Sequence, residues 1–281
     1  MPKRGTRQPP PQAPEPIYRL GLISDLHVGS RYALIPPRFV PATDTHPSAK
    51  FYGYMWECWQ HFCATCQPMD ALIINGEITE GENPTQRDAM DAITDDLLMQ
   101  ADMAVETISL LMPKVKRLWV VRGTVWHEGK YFETIERIAS DLHAEPWADR
   151  RSTGLVLEGE FHGLKLNVTH HQSVGAIYRG TLADRTSLFA AAAERIGKTI
   201  DADIIVRSHL HSKYIGKSHS KWFISTPAWK LPTPYAFKRL EFYRACLLSD
   251  LGAIVLATRG HGDVSWEEYE YEPYKWERRA I

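Results

Sequence analysis

The feature that most constrains the fold of this chain is a series of short apolar runs separated by segments with helical periodicity. The runs contain β-branched residues and end at turn-forming residues, which is typical of buried strands. The segments between them carry apolar residues on one helical face. Predicted strands cover residues 17–24, 70–75, 115–121 and 203–206, and predicted helices cover residues 52–66, 85–111, 129–143 and 181–197.

The second half of the chain adds antiparallel strand pairs to this pattern. One predicted hairpin turns at His162-Gly163. Strands and helices that alternate early, followed by hairpins, predict an α/β fold with a largely parallel first half. Ligands of such sheets bind beyond the carboxyl ends of the strands. The predicted hairpins pair residues 155–160 with 165–169 and 213–217 with 222–225, and the closing strands cover residues 253–257 and 264–271.

Proline content separates the N-terminus from the rest of the chain. Residues 1–16 are rich in proline and poor in apolar side chains, so we expect a disordered tail there. Residues 17–281 are predicted to form one domain. Within it, residues 28–50 lack any periodicity, and a loop of this length is often functional. Thr85 is the predicted N-cap of the helix that Pro113 ends.

Charge and cysteine content argue against several functional classes. The net charge of −1 gives no basic field, so binding to nucleic acid through overall charge is not indicated. Four cysteines are too few for a disulfide framework, and the C-x-x-C pair lies on an apolar helix face where buried thiols are expected. Without a signal-like or membrane-spanning run, we expect a cytoplasmic protein with no membrane partner. The cysteines are Cys58, Cys63, Cys66 and Cys246.

Residues that can bind a metal ion follow the predicted strands repeatedly. Each short pattern alone is weak evidence, because histidine and aspartate pairs are common in loops. Together they are expected to meet at one edge of the sheet, where the strand ends lie. They are Asp25 and His27 after the first strand, Glu77 and Glu80 after the second, His127 and Glu128 after the third, His170 and His171 after the hairpin, and His209 and His211 after the fourth core strand.

The types of these residues indicate a site for two divalent ions. Mixed carboxylate and imidazole ligands suit Mn²⁺, Fe or Zn²⁺. Two ions about 3.5–4 Å apart need a shared ligand, and a carboxylate can offer one oxygen to each. Where the backbone of D-x-H and H-x-H stays extended, residues i and i+2 point to the same side and can face one pocket.

This ordered set of motifs resembles the calcineurin-like metallophosphoesterase superfamily. The pattern of that family is D-x-H, G-D-x-x-[DE], G-N-H-[DE], a histidine after a strand, and G-H-x-H. The resemblance extends over about residues 17–230, and the G-T-x-x-H form of the third motif is similar to phage-type members. It implies a four-layer α/β/β/α sandwich and two divalent metal ions, Mn²⁺ first, with Fe, Zn²⁺ and Mg²⁺ as alternatives.

The resemblance also implies a role for each matching residue. Glu77 would bridge the two ions, and His127 would stabilise or protonate the leaving group. His170 is favoured over His171 because the family histidine directly follows its strand. The implied ligands are Asp25, His27 and His211 for the first ion and Thr124, His209 and one of His170 and His171 for the second, and Asp25 and His127 are the implied catalytic residues.

Three positions depart from the family pattern. Glu77 replaces the bridging aspartate and is one methylene longer. Thr124 stands after Gly123, where the family has a metal-binding asparagine, and two extra residues precede His127. Ser208 replaces the first glycine of G-H-x-H. A hydroxyl is a weaker ligand than an amide oxygen, so the second metal site is expected to be the looser one.

We therefore predict a hydrolase in which a metal-activated hydroxide attacks a phosphoester substrate. One alternative is a nuclease or phosphodiesterase acting on nucleic acid, and another is a catalytically degenerate metal-binding scaffold. The oligomeric state is left open.

Several of these residues also have structural interpretations. Glu80 could charge a loop, His127 could lie on the surface, and Asn75-Gly76 could form only a turn. Trp56 and Trp59 are expected in the core, and Asp95-Asp96 on a solvated helix face.

Overall fold

The computed structural model describes residues 15–82, 91–171, 179–218, 220–233, 249–260 and 262–273. The α-helices of these ranges are α1 (Tyr52–Thr65), α2 (Leu97–Ser109), α3 (Val125–Glu128), α4 (Glu133–Asp141) and α5 (Arg179–Arg195). The strands are β1 (Tyr18–Ile23), β2 (Ala71–Asn75), β3 (Leu118–Val121), β4 (Leu157–Phe161), β5 (Leu164–Val168), β6 (Ile204–Arg207), β7 (Tyr214–Ser218), β8 (Lys221–Ser225), β9 (Leu251–Thr258) and β10 (Ser265–Tyr271).

The strands form two mixed sheets of five strands each. The order of the first sheet is β10-β9-β1-β2-β3, in which β1, β2 and β3 are parallel and β9 and β10 form an antiparallel edge. The order of the second sheet is β4-β5-β6-β8-β7, with β5, β6 and β8 parallel and an antiparallel strand at each edge. Both predicted hairpins, β4-β5 and β7-β8, are confirmed.

Three apolar clusters show how these sheets and helices are layered. Alternate residues of each first-sheet strand face opposite sides, so that Leu22 packs toward the second sheet and Ile23 toward α1, α2 and α4. Val206 of β6 meets the first sheet, whereas Ile205 packs against Ala183 of α5. The order of layers is therefore helices, first sheet, second sheet, α5, which confirms the predicted α/β/β/α sandwich.

The predicted helix over residues 85–111 begins later than its periodicity suggests. Thr85 lies outside the described residues, and the observed α2 starts at Leu97, where the Asp96 side chain accepts hydrogen bonds from the backbone N–H groups of Leu98 and Met99. Asp96 is thus a helix cap and not part of a solvated helix face, because a free carboxylate satisfies N–H groups that a helix start leaves open.

Other expectations about single elements are met or revised in the same way. The predicted helix over residues 129–143 corresponds to α4, which begins later, at Glu133, and ends at Asp141. The short α3 lies before the predicted range and ends at Gly129, which has a φ of 86°. Cys58, Cys63 and Cys66 are buried free thiols, as expected, and burial raises the pKa of Cys63 to about 12. Trp59 is fully buried and Trp56 partly buried. Within the described ranges, no helix combines the length and apolar character that a membrane span requires.

Candidate metal centre

The carboxyl ends of all six parallel strands meet between the two sheets. Each is followed within a few residues by at least one polar side chain that points into the same region, as the rule for open α/β sheets leads one to expect. Asp25 and His27 follow β1, Glu77 follows β2, Thr124 and His127 follow β3, His170 follows β5, His209 and His211 follow β6, and Lys230 follows β8. The topology therefore brings together motifs that are almost 200 residues apart in the chain.

The backbone that carries these side chains is left-handed at five non-glycine positions. A positive φ costs an ordinary residue about 1–3 kcal/mol, and such residues cluster at functional sites. The backbone of D-x-H and H-x-H is therefore not extended, and tight turns instead of an i, i+2 alternation aim these side chains. The residues and their φ values are Asp25 (52°), His27 (44°), Glu77 (53°), His209 (73°) and His211 (55°).

Four of the predicted ligands form a compact cluster, which we call the first group: Asp25, His27, Glu77 and His211. The Nε2 atom of His27 lies 3.2 Å from Oε2 of Glu77 and 3.1 Å from Nε2 of His211. The same His211 nitrogen lies 3.2 Å from Oδ1 of Asp25. Carboxylate oxygens and imidazole nitrogens at these distances converge on one point, which is the donor set that a divalent transition metal prefers.

A second cluster, the second group, consists of Glu77, His170 and His209. The Oε1 atom of Glu77 lies 3.3 Å from Nε2 of His170 and 3.2 Å from Nδ1 of His209. The Thr124 hydroxyl donates a hydrogen bond of 3.0 Å to the same oxygen. The two oxygens of Glu77 therefore face different groups, with Oε2 toward the first and Oε1 toward the second.

The burial and charge of the first group are suited to a bound cation. Oδ1 of Asp25 is buried and makes no hydrogen bond of acceptable geometry with the described residues, although Nε2 of His211 lies 3.2 Å away. Such burial is costly for a carboxylate oxygen unless a positive charge approaches it. Burial raises the pKa of Asp25, but His211 and His170 outweigh it and hold that pKa below its ordinary value. Burial likewise raises the pKa of Glu77, yet His127 and His170 lower it well below its ordinary value. Both carboxylates are ionised at neutral pH.

The structure places the two adjacent histidines differently. His170 is buried within the second group, and its Nδ1 lies 2.6 Å from the carbonyl oxygen of Asn75, to which it donates. His171 is exposed and belongs to neither group, although its ring stacks at 5.5 Å on that of His209. Gly76 is required beside His170, because a Cβ atom there would lie 2.4 Å from the His170 Nδ1 atom.

Glu80 and Lys230 form a buried support that sequence analysis did not assign. The Lys230 ammonium donates to both carboxylate oxygens of Glu80, at 2.9 and 2.7 Å. Glu80 Oε2 in turn lies 2.9 Å from Nδ1 of His27. This contact places the imidazole proton on Nδ1 and leaves the Nε2 lone pair directed into the first group. Lys230 stands in no recognisable motif, so no sequence signal could have identified it.

His127 and Glu128 lie on the loop side of the centre. Burial lowers the pKa of His127 to about 4, and its Nδ1 donates to the Glu80 carbonyl oxygen at 2.5 Å. The ring is therefore neutral, and its Nε2 atom lies 4.0 Å from Oε1 of Glu77. Protonation of a leaving group by His127 stays a prediction. Glu128 accepts hydrogen bonds from the backbone N–H groups of Glu77 and Gly123 and thereby joins two strand-end loops.

Ser208, a departure from the family motif, has a structural task. Its hydroxyl accepts a hydrogen bond of 2.6 Å from the Asn75 amide and lies 2.7 Å from the hydroxyl of Thr226. Thr226 also lies 2.6 Å from Ser24 of the first sheet. This row of polar side chains links the strand ends of the two sheets next to Glu77, and Asn75 is therefore more than a turn residue.

Comparisons with known proteins reveal similarity at the level of solved structures only. No family model and no curated protein matches the chain. Vps29 from Chaetomium thermophilum is 12% identical, with 91% of this chain and 97% of that chain covered and a TM-score of 0.47. An archaeal phosphodiesterase is 11% identical, with 89% of this chain and 99% of that chain covered and a TM-score of 0.45. Zinc-complexed Vps29 from Entamoeba histolytica is 14% identical, with 90% of this chain and 98% of that chain covered and a TM-score of 0.41. At these values the likeness gives no argument for activity, for substrate or for a phage-type subgroup.

Proposed function

We propose that this chain is a metal-dependent phosphoester hydrolase with two divalent ions, one on each side of Glu77. The observation that supports this most is the orientation of the Glu77 carboxylate, whose two oxygens face two separate groups of ligands. A bridging carboxylate is what a two-metal centre requires. Mn²⁺ is the first candidate for such a donor set, with Fe, Zn²⁺ and Mg²⁺ as alternatives.

The chain's own residues would divide the work around the bound ions. Asp25, His27 and His211 would hold the first ion, and His170, His209 and Thr124 the second. When bound, the ions would supply an activated water and offset charge on the phosphate oxygens. Glu80 and Lys230 would keep His27 in the tautomer that binds metal, and Nε2 of His127 would contact the reacting oxygens from the β3 side.

Hydrolysis of generic phosphoesters in the presence of Mn²⁺ tests this proposal. The assay uses p-nitrophenyl phosphate and bis(p-nitrophenyl) phosphate, so that monoesters and diesters are separated. Asp25→Asn removes a buried ligand charge with little change in volume, and we expect it to abolish turnover. Asp184→Asn makes the same change on the exposed side of α5 and should leave turnover intact. Full activity of the purified Asp25→Asn protein would contradict the proposal.

A metal-binding scaffold without catalysis is the second candidate. The observation in its favour is the second group, where His209 is 33% exposed and a threonine stands in place of the family's amide ligand. Elemental analysis combined with the turnover assay distinguishes the two functions. Bound metal with no turnover of either ester would favour the scaffold.

A further inference from the structure

A cleft of about 430 Å³ opens beside the second group, between α5 and the strands β4, β5 and β6, and we call it the α5 cleft. Thr169 and His171 form its inner wall, on either side of the buried His170. The ring of His171 stacks on that of His209, so the cleft starts where the second group ends. The α5 cleft is therefore adjacent to the second group.

The charge of the α5 cleft is suited to an anion. Arg185, Lys198 and Arg207 line it, and among the described residues no carboxylate forms an ion pair with any of them. Arg207 instead donates to the carbonyl oxygen and the side-chain oxygen of Asn167, at 3.1 and 2.7 Å. Burial lowers the pKa of Arg207 to about 10, which leaves it charged at neutral pH.

One acidic residue, Glu158, shares the α5 cleft, but its carboxylate is already engaged. Its Oε1 atom accepts hydrogen bonds from the Asn167 amide at 2.8 Å, from the Thr199 hydroxyl and from the backbone N–H of Ile200. These partners are neutral, so Glu158 retains its negative charge without pairing with a cation of the cleft. Three cations against one acid leave a local excess of positive charge in a protein whose net charge is −1.

An exposed aromatic ring completes the lining. Phe189 is 61% exposed on α5, although phenylalanine is usually buried in a helix that packs on a sheet. The guanidinium of Arg185 lies 5.7 Å from the centre of its ring. A flat apolar ring beside cationic groups is the surface on which nucleic-acid bases stack in single-strand binding proteins.

We propose that the α5 cleft binds the nucleotide unit next to the scissile phosphate of a single-stranded nucleic acid. The phosphate of this nucleotide would lie against Arg185 and Lys198, and the base of the same nucleotide would stack on Phe189. A duplex would not fit, because a base must leave its helical stack to enter a cleft of this size. This inference rests on the proposed function for the reaction itself but names the substrate class, which the metal centre alone does not.

Binding of a short fluorescein-labelled single-stranded oligonucleotide to the full-length protein in EDTA tests the proposal without turnover. We expect Phe189→Ala to weaken binding by about 5- to 150-fold, the range for loss of one stacked base. Arg185→Ala should weaken binding and reduce the slope of log affinity against log salt by about 0.7, the value for one lost phosphate contact on a single strand.

Matched controls come from the same helix. Leu188→Ala and Arg195→Ala remove an exposed apolar and an exposed basic side chain of α5 that do not line the cleft, and both should retain wild-type affinity. Equal affinity of all four variants, or no binding by the wild-type protein, would overturn the proposal.

Failure of this inference and failure of the proposed function give different results. Hydrolysis of p-nitrophenyl esters without oligonucleotide binding would overturn the assignment of the α5 cleft and leave the hydrolase intact. Oligonucleotide binding that depends on Phe189 and Arg185, with no turnover of any ester, would support the cleft assignment and contradict the hydrolase.

Discussion

The two ligand groups on either side of Glu77 differ in how firmly the protein holds them. In the first group, Asp25 and His27 are buried, and the Glu80–Lys230 ion pair fixes the His27 ring. In the second group, the His209 side chain is one-third exposed, and Thr124 contributes only a hydroxyl, which contacts Glu77. Burial and supporting contacts orient ligands and raise metal affinity. If two ions bind as proposed, we therefore expect a tight first ion and a looser, more exchangeable second ion.

The largest effect is expected from a change at Glu77, because such a change weakens the binding of both ions at once. Glu77→Gln keeps the shape of the shared side chain but removes its charge from both groups. Because several kcal/mol of transition-state stabilisation depend on the ions, we expect activity to fall by more than about a thousandfold. Steady-state hydrolysis of the preferred p-nitrophenyl ester measures this. Retention of metal and activity by Glu77→Gln would show that the Glu77 charge is not shared between two ions.

The support of the first group should matter to stability as well as to metal binding. Lys230→Met leaves the Glu80 carboxylate buried without its cation, which costs about 3–5 kcal/mol. Urea denaturation in EDTA measures the loss, and Lys130→Met, at an exposed position, should stay within about 0.5 kcal/mol of wild type. The double variant Glu80→Gln/Lys230→Met should recover part of the loss, and a double variant no more stable than Lys230→Met would refute this role for the pair.

The same pair makes a pH prediction whose sign follows from the pKa of Glu80. Burial raises that pKa, but Lys230 and His27 lower it below the ordinary value of 4.5. A carboxyl group with a lowered folded-state pKa contributes stability above its unfolded pKa and loses it as the pH falls. The stability difference between wild type and Lys230→Met should therefore shrink below about pH 4.5.

Residues that follow strands were predictable from sequence, whereas their supports were not. Asp25, His27 and His211 come directly after apolar runs, and the rule that parallel strands share a carboxyl edge is enough to bring them together. Lys230 reaches Glu80 only through the packing of the segment after β8, which no local pattern encodes. Similarly, the periodicity of residues 85–111 could not reveal that Asp96 caps α2, because periodicity reports a buried face and not a helix start.

Removing a ligand of the second group should separate the two ions. His209→Ala leaves Asp25, His27 and His211 in place, so we expect the tight ion to stay. The weaker ion should lose at least the 10- to 100-fold in affinity that even a supporting residue contributes. Isothermal titration with Mn²⁺ distinguishes the two binding events. His143→Ala, at an exposed position two residues after the end of α4, is the control. Simultaneous loss of both ions from His209→Ala would show that the groups are not separable.

The smallest expected effect concerns Thr124. An amide oxygen is a stronger metal ligand than a hydroxyl, so Thr124→Asn should tighten the second ion by a few-fold and leave the first unchanged. Thr124→Val, which removes the hydrogen bond to Glu77 at similar volume, should weaken the binding of the second ion. The same Mn²⁺ titration measures both variants, and identical second-ion affinities for asparagine, valine and threonine would show that this side chain is not a ligand.

The central claim is that Glu77 lies between two ions, and anomalous diffraction from crystals grown with Mn²⁺ tests it most directly. We expect two anomalous peaks, one among Asp25, His27 and His211 and a weaker one between His170 and His209. A map with a peak in only one of the two groups, or in neither, would contradict this claim.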